Sequence, residues 1–580
     1  MHSTTLYKFF TIVCIFLLLF LYFFHPIPLQ GPNVDLGHHL LLGKITVESL
    51  HVPQTNLISY THPDYVFVNT QWLSEVVFFF WNNWFGFSGL IILSVLLALK
   101  SFFFVFITAY KKYHLLPTLL VSLLSFQLLI DRTELKPELF SFALLGVFLF
   151  VLYKHREKHT NLIYILPILE VLWVNFHIFF VVGIAVMGAF LLDSFITAKG
   201  KIKTKKDKVL FVLTVITALS TLINPNFVKG VLYPFFVLSD YGYDVIENKN
   251  ILEALPYADL TFVYFFISLL ALWGGIALIH KKMRRVDIFL SAFFTFMALF
   301  AVRHFPLYMF GTFIPLVCVC SIALKRIQKR TNEANYQMLV FGLWLLLCVG
   351  ILPALIWNFK VHGVGFGVID NAREAMTFVK DNNLKGPIYN NYNIGNYMEY
   401  QLYPKERVFV DGNPEQYPEE FFKDVYYPSE NNFEAFQQTS KKYAFNTIIY
   451  EHKNQTLSQN PLLEGLSKSS DWKMVYLNSL LVMYVKNTKE NKKIIDKFQL
   501  TEDNLSLNKE ELTNPDKIGD LSNFFRVIGW YDKMMEMDLK YLESHPKDCT
   551  ALRHIAAVMQ QKKDPQALLY ATDFQKNCIK

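Results

Sequence analysis

GFSGLIILSVLLALKSFFFVFITAY, residues 86–110, carries a single ionisable side chain, Lys100, and runs directly into KKYH at 111–114. At 1.5 Å per residue such a helix is long enough to cross the roughly 30 Å hydrocarbon core of a bilayer. Working outward, similar apolar runs lie near 8–25, 115–130, 137–153, 161–175, 178–192, 209–223, 260–279, 286–302, 305–324 and 337–357. Several are shorter than the ~20 residues of a straight span and read as tilted or broken helices. The first is long and aromatic-rich and lacks a small-residue cleavage site, so it reads as an uncleaved anchor. The expected fold is a polytopic α-helical membrane protein of about eleven spans. Of the 580 residues 53% are hydrophobic and only 18% charged, which places the chain far from the soluble average.

The connectors fall into two classes. KKYH (111–114), KHREKH (154–159), KGKIKTKKDK (199–208), KKMRR (281–285) and KRIQKR (325–330) are basic, and the positive-inside bias puts them in the cytoplasm. They also account for much of the net charge of +7, so no nucleic-acid partner is needed to explain it. The remaining connectors must share the outer face. They carry Asp35, His38 and His39; Arg132, Lys136 and Glu138; Asn175 and His177; Asn224; and Arg303 with His304. With an odd number of spans the N-terminus is cytoplasmic and the C-terminal part extracytoplasmic.

After Trp357 the apolar runs shorten and charges appear throughout. This division predicts a membrane domain at 1–357, an extracytoplasmic α/β domain at 358–500 and a helical, tetratricopeptide-like tail at 501–580. In the middle part, residues 371–383 and 394–403 read as helices, and 386–391, 406–412, 446–452, 472–478 and 480–487 as strands. No G-x-G-x-x-G or G-x-x-x-x-G-K-[ST] is present, so there is no nucleotide-binding fingerprint. The tail alone does not distinguish degenerate repeats, which would offer a protein partner a surface, from a helical hairpin. Cys14, Cys318, Cys320 and Cys348 fall in apolar spans, whereas Cys549 and Cys578 lie in the tail and are open to pairing.

Each outer cluster admits two readings. Asp35 begins an interfacial helix, either as its N-cap or as a general base for an incoming hydroxyl or amide. His38 and His39 follow on the same helix, with metal ligation beside Asp35 a further option. Arg132 and Lys136 suit a phosphate, or pair locally with Asp131, Glu134 and Glu138. Asn175 and His177 read as a hairpin turn or a ligand site, and Arg303 with His304, just before Pro306, again as a phosphate-type group. Within the spans, Lys100 and Glu170 are costly at depth and either pair with each other or, for Lys100, snorkel to the surface.

Taken in order, DLGHHL (35–40), VNTQWL (68–73), KPELFS (136–141), WVNFH (173–177), NPNFVKGVLYP (224–234) and RHFP (303–306) resemble the outer-loop motifs of the C-type (GT-C) glycosyltransferases. The segment NNYNIGNYMEYQLYPKERVFVDGNPEQYP (390–418) is similar to the N-x-Y-x-x-G-x-Y…V-x-x-D-G stretch that follows in bacterial members. The resemblance implies inverting transfer from a polyprenyl-phosphate sugar to a lipid, glycan or protein acceptor at the outer face of the bacterial inner membrane. By position it makes Asp35 the base, with His38 or His39 orienting it or the substrate, and gives the lipid phosphate to Arg132, Lys136 and Arg303. Glu138, Asn175, His177 and His304 are further outer-face candidates. It implies no nucleotide cofactor and leaves a divalent metal open. The chain departs from the pattern in Gly37 and the paired His, where aromatics are common, and in Lys136, where Arg is usual. Two rivals share some of these features: a flippase for lipid-linked glycans, and a non-catalytic assembly protein acting through its soluble tail.

Overall fold

The computed structural model describes residues 2–31, 34–129, 132–201, 204–236, 241–453 and 460–579. Each predicted apolar run is helical. Among the described residues six helices are long and apolar enough to cross a membrane: Trp72–Tyr113, Glu138–Glu157, Ile178–Thr197, Leu260–Lys282, Val302–Gln328 and Glu333–His362. Shorter apolar helices lie at Lys8–Phe23, Leu115–Phe126 and Asn161–Phe176. Glu333–His362 turns nearly all of its apolar surface outward, as lipid-facing helices do. Trp72–Tyr113 is two helices joined at Gly86, whose φ of 63° breaks the ladder at the residue where the long apolar run begins. Its first half carries Glu75 in the opening turn, where the helix dipole favours an acid.

The connectors separate as the charge pattern requires. Lys112 meets Glu157 at 2.9 Å, Arg156 meets Asp193 at 2.8 Å, and Arg284 reaches the Tyr113 hydroxyl at 3.3 Å. The basic connectors therefore gather at one end of the bundle. Lys100 and Glu170 do not pair: Lys100 is exposed on the bundle surface, while Glu170 is fully buried with neither carboxylate oxygen hydrogen-bonded. They project from helices in opposite senses, one to the lipid and one to the core.

Beyond the last span the chain folds back onto the end of the bundle opposite the basic connectors. Ile27–Pro28 pairs in parallel with Val368–Ile369, tying the exit of the first helix to the start of the soluble part. A four-stranded sheet follows, in the spatial order Ile388–Asn390, Thr447–Glu451, Leu481–Lys486, Trp472–Leu477, with the first pair parallel and the others antiparallel. The two-residue period divides it cleanly. Ile449, Met483 and Val485 join the core shared with the membrane helices, and Ile448, Tyr450, Val482 and Tyr484 face the outer helices and the tail. The predicted strand at 406–412 is not one. Val408 makes only an isolated bridge with Ser59, because the outer loop of the membrane part takes its backbone groups.

The tail is four helices, Pro515–Ile528, Tyr531–Ser544, Cys549–Gln561 and Ala567–Cys578, packed consecutively, with Gly529 at φ 81° closing the first. His452 stacks on Phe524 with ring centroids 4.5 Å apart, seating the tail on the sheet. Cys549 and Cys578 form a disulfide.

Candidate functional site

At the end of the bundle opposite the basic connectors, a cleft with a cavity volume of about 190 Å³ lies between the membrane helices and the C-terminal domain. Asp35, His38, His39, Arg132, Lys136, Glu138, His177 and Arg303 all line it. Asp35 precedes the helix Leu36–Ser49, yet its side chain makes no capping bond. Better partners turn it away. One carboxylate oxygen accepts a hydrogen bond from Asn396 Nδ2 at 3.1 Å, and the other lies 3.5 Å from Lys136 Nζ.

The cations are held by acids and amides from distant segments. Arg132 Nη1 donates to Glu247 at 2.9 Å and lies 3.8 Å from Glu138, one of the local partners expected of it. Asp131 lies outside the described residues. Arg303 donates to Asn248 Oδ1 at 2.9 Å and stacks over Phe179, while its buried Nε has no hydrogen-bond partner. Burial works to lift the Glu247 acid, but Arg132, Lys136 and Arg303 outweigh it and hold its pKa at about 2. Burial works to discharge Lys136, and Asp35 and Glu247 more than compensate, raising its pKa. The cleft is thus a set of opposed charges already paired across it.

The soluble domain supplies a wall of this cleft. His38 Nδ1 meets Glu399 at 2.5 Å, and its Nε2 faces Gln416 Nε2 at 3.1 Å. His39 sits 3.4 Å from Glu75, which also accepts from Asn69 at 2.7 Å. The two imidazoles therefore point to different acids, as adjacent helical residues do. Among the described residues no group of three or more His, Cys, Asp or Glu side chains is placed to hold a metal ion. Gly37 is explained by the same docking. A Cβ there would lie 2.8 Å from the Asn396 carbonyl and 3.1 Å from Tyr400, so the approach of the two helices excludes a larger residue. Asn396 also accepts from the Gly412 amide at 2.8 Å and from Asn413 at 3.2 Å. Behind it Asp411 is fully buried, accepting from Asn413 N and the Tyr417 hydroxyl. Burial, and after it the Glu399 carboxylate, push Asp411 up to about 7. Burial likewise holds Glu399 well above the usual carboxylate range.

Two sequence candidates stand outside the cleft lining. Asn175 accepts from Trp72 Nε1 at 2.7 Å and donates to the Val171 and Ile223 carbonyls, which makes it a joint between helices. His304 is bonded to the Met297 carbonyl at 2.8 Å and packs on Phe179. His177 reaches the cleft while its Nδ1 is taken by Ser141, which in turn accepts from Trp173. The sequence reading did not single out Glu75, Glu247, Asn248, Asn396, Glu399 or Gln416. Glu75 lies two residues beyond VNTQWL, and the last three lie inside the quoted 390–418 motif; nothing in the sequence marks the loop that carries Glu247 and Asn248.

No protein-family model matches the chain, and no curated protein matches it by sequence. Solved structures do. The Archaeoglobus fulgidus oligosaccharyltransferase, in a complex with Zn and sulfate, superposes with a TM-score of 0.50 at 11% identity, over 89% of this chain and 82% of its own. The arabinofuranosyltransferase AftD from Mycobacteria gives 0.52 at 12% identity, over 83% of this chain and 41% of its own. The architecture is therefore the GT-C fold of polytopic membrane proteins. That is the fold the motif resemblance implied.

Proposed function

We propose that this protein is a glycosyltransferase of the bacterial inner membrane that moves a sugar from a polyprenyl-phosphate donor to a lipid, glycan or protein acceptor on the outer face. The observation that carries the reading is the cleft itself, where a carboxylate that caps nothing, Asp35, shares one cavity with Lys136, Arg132 and Arg303. The fold supports it, since both structural neighbours are named as glycosyl-transferring enzymes. The orientation rests on the basic connectors at the opposite end and is supported by the tail disulfide, which suits an oxidising compartment.

In this mechanism Asp35 takes the proton from the acceptor nucleophile as its lone pair attacks the anomeric carbon. The bond from that carbon to the phosphate oxygen breaks with inversion, and the oxygen keeps the bonding pair. Lys136, Arg132 and Arg303 neutralise the charge that builds there, the largest electrostatic demand of the reaction. Lys136 can serve both groups in turn, held by Asp35 at rest and released toward the phosphate once Asp35 is protonated. His38, fixed between Glu399 and Gln416, positions the first turn of the Asp35 helix.

The test is transfer of radiolabel from a panel of polyprenyl-phosphate sugars to membrane acceptors, comparing wild type with Asp35→Asn at matched expression. Transfer in the first and none in the second is the expected result. Equal transfer removes Asp35 from the chemistry, and no transfer with any donor removes the enzyme reading.

A further inference from the structure

A second cavity, of about 370 Å³, lies at the other end of the bundle, walled by the ends of Trp72–Tyr113 and Glu138–Glu157 and by the connector before Arg285–Phe300. The helix Glu138–Glu157 has Glu138 in the outer cleft and Glu157 here; its 20 residues separate the two by about 30 Å, the thickness of a bilayer core. Four cations line this cavity, Lys111, Lys112, Lys154 and Arg284, against one acid, Glu157. Arg284 is fixed in place: its Nε donates to the fully buried Asp287 at 2.9 Å, and its guanidinium lies over the Tyr153 ring with Cζ 4.4 Å from the centroid. Glu157 is half exposed and is shared between Lys112 at 2.9 Å and Arg284 at 3.8 Å. Counting Asp287 against Arg284 and Glu157 against one lysine, two positive charges remain without an acid. The positive-inside bias asks that lysines lie near this face; it does not ask that they enclose a cavity around a pinned, largely buried arginine with Phe150 as an apolar wall.

We propose that this cavity binds the phosphate head group of an anionic membrane lipid, with the acyl chains lying against the bundle. Arg284 supplies the preorganised donors, the lysines the excess charge, and Glu157 is the internal anion that the head group displaces. The assignment does not depend on the reaction in the outer cleft.

Native mass spectrometry of the full-length protein in detergent, titrated with phosphatidylglycerol or phosphatidylcholine, tests it. Phosphatidylglycerol should be retained in preference. The Lys111→Gln, Lys112→Gln, Lys154→Gln triple variant should weaken that retention roughly tenfold or more. Glu157→Gln, which only removes a half-exposed competing acid, should strengthen it roughly two- to fivefold. Equal retention of the two lipids, or variants that leave the preference unmoved, overturns the proposal. Displacement of the lipid by millimolar inorganic phosphate also overturns it, assigning the cavity to the free anion.

Discussion

Asp35 occupies the position of a helix cap without acting as one, and this separates its contribution to stability from the contribution to chemistry proposed for it. Replacing a working cap costs about 1 kcal/mol, whereas removing a general base costs roughly 10²–10⁴ in rate. Asp35→Asn keeps an acceptor for Asn396 and gives up the Lys136 pair, whose ammonium Glu247 still faces, so its thermal midpoint in detergent should fall only slightly while transfer falls at least about a hundredfold. Arg303 offers a fork of donors, one of them unused, that lysine cannot reproduce. Arg303→Lys should lower transfer roughly tenfold or more even though charge is conserved, in an assay at saturating donor. Gly37 gives a purely steric contrast. Gly37→Ala drives a methyl into the Asn396 carbonyl and should cost roughly 1–3 kcal/mol, whereas Gly188→Ala, with nothing within 4 Å in mid-helix, should be neutral or stabilise by up to about 1 kcal/mol; thermal unfolding of the two variants side by side decides it.

The elements that meet at Asn396 carry a pH dependence whose sign can be worked out. Asp411 titrates at 3.8 when unperturbed and at about 7 when folded, so the folded state binds more protons between those values. Stability therefore declines as pH rises from about 4 to about 7, by up to a few kcal/mol, and Glu399, shifted in the same direction, adds to the slope. Melting temperatures across that window should fall in wild type and fall less steeply in Asp411→Asn. The membrane elements and the gathering of Asp35, Lys136 and Arg303 at one end of the bundle were legible in the sequence, because apolar length and loop charge are local quantities. The acids that hold the cations were not. Glu247 pairs with Arg132 across 115 positions of sequence and Glu399 with His38 across 361, and neither spacing leaves a periodic trace. The failed strand at 406–412 has the same origin: VFV is strand-like locally, but Ser59 and Tyr60 from the first outer loop reach its backbone before a sheet neighbour can.

At the scale of the whole molecule, the tail stands apart from the cleft. Its disulfide closes a loop of 29 residues, which contributes roughly 3–4 kcal/mol to the last helix pair. Cys549→Ser should therefore speed hydrogen exchange in Ala567–Cys578 and leave transfer unchanged. The docking of the soluble domain is another matter, because Asn396, Glu399 and Gln416 complete a site begun by Asp35 and His38. Synthesis runs from the N-terminus, so for most of its time on the ribosome the nascent chain has its anchors in the bilayer but lacks one wall of its own cavity. On the proposed function the site is complete only once the last third has folded back, so a truncated product lacking that third should stay in the membrane as an inert bundle rather than as an unregulated enzyme.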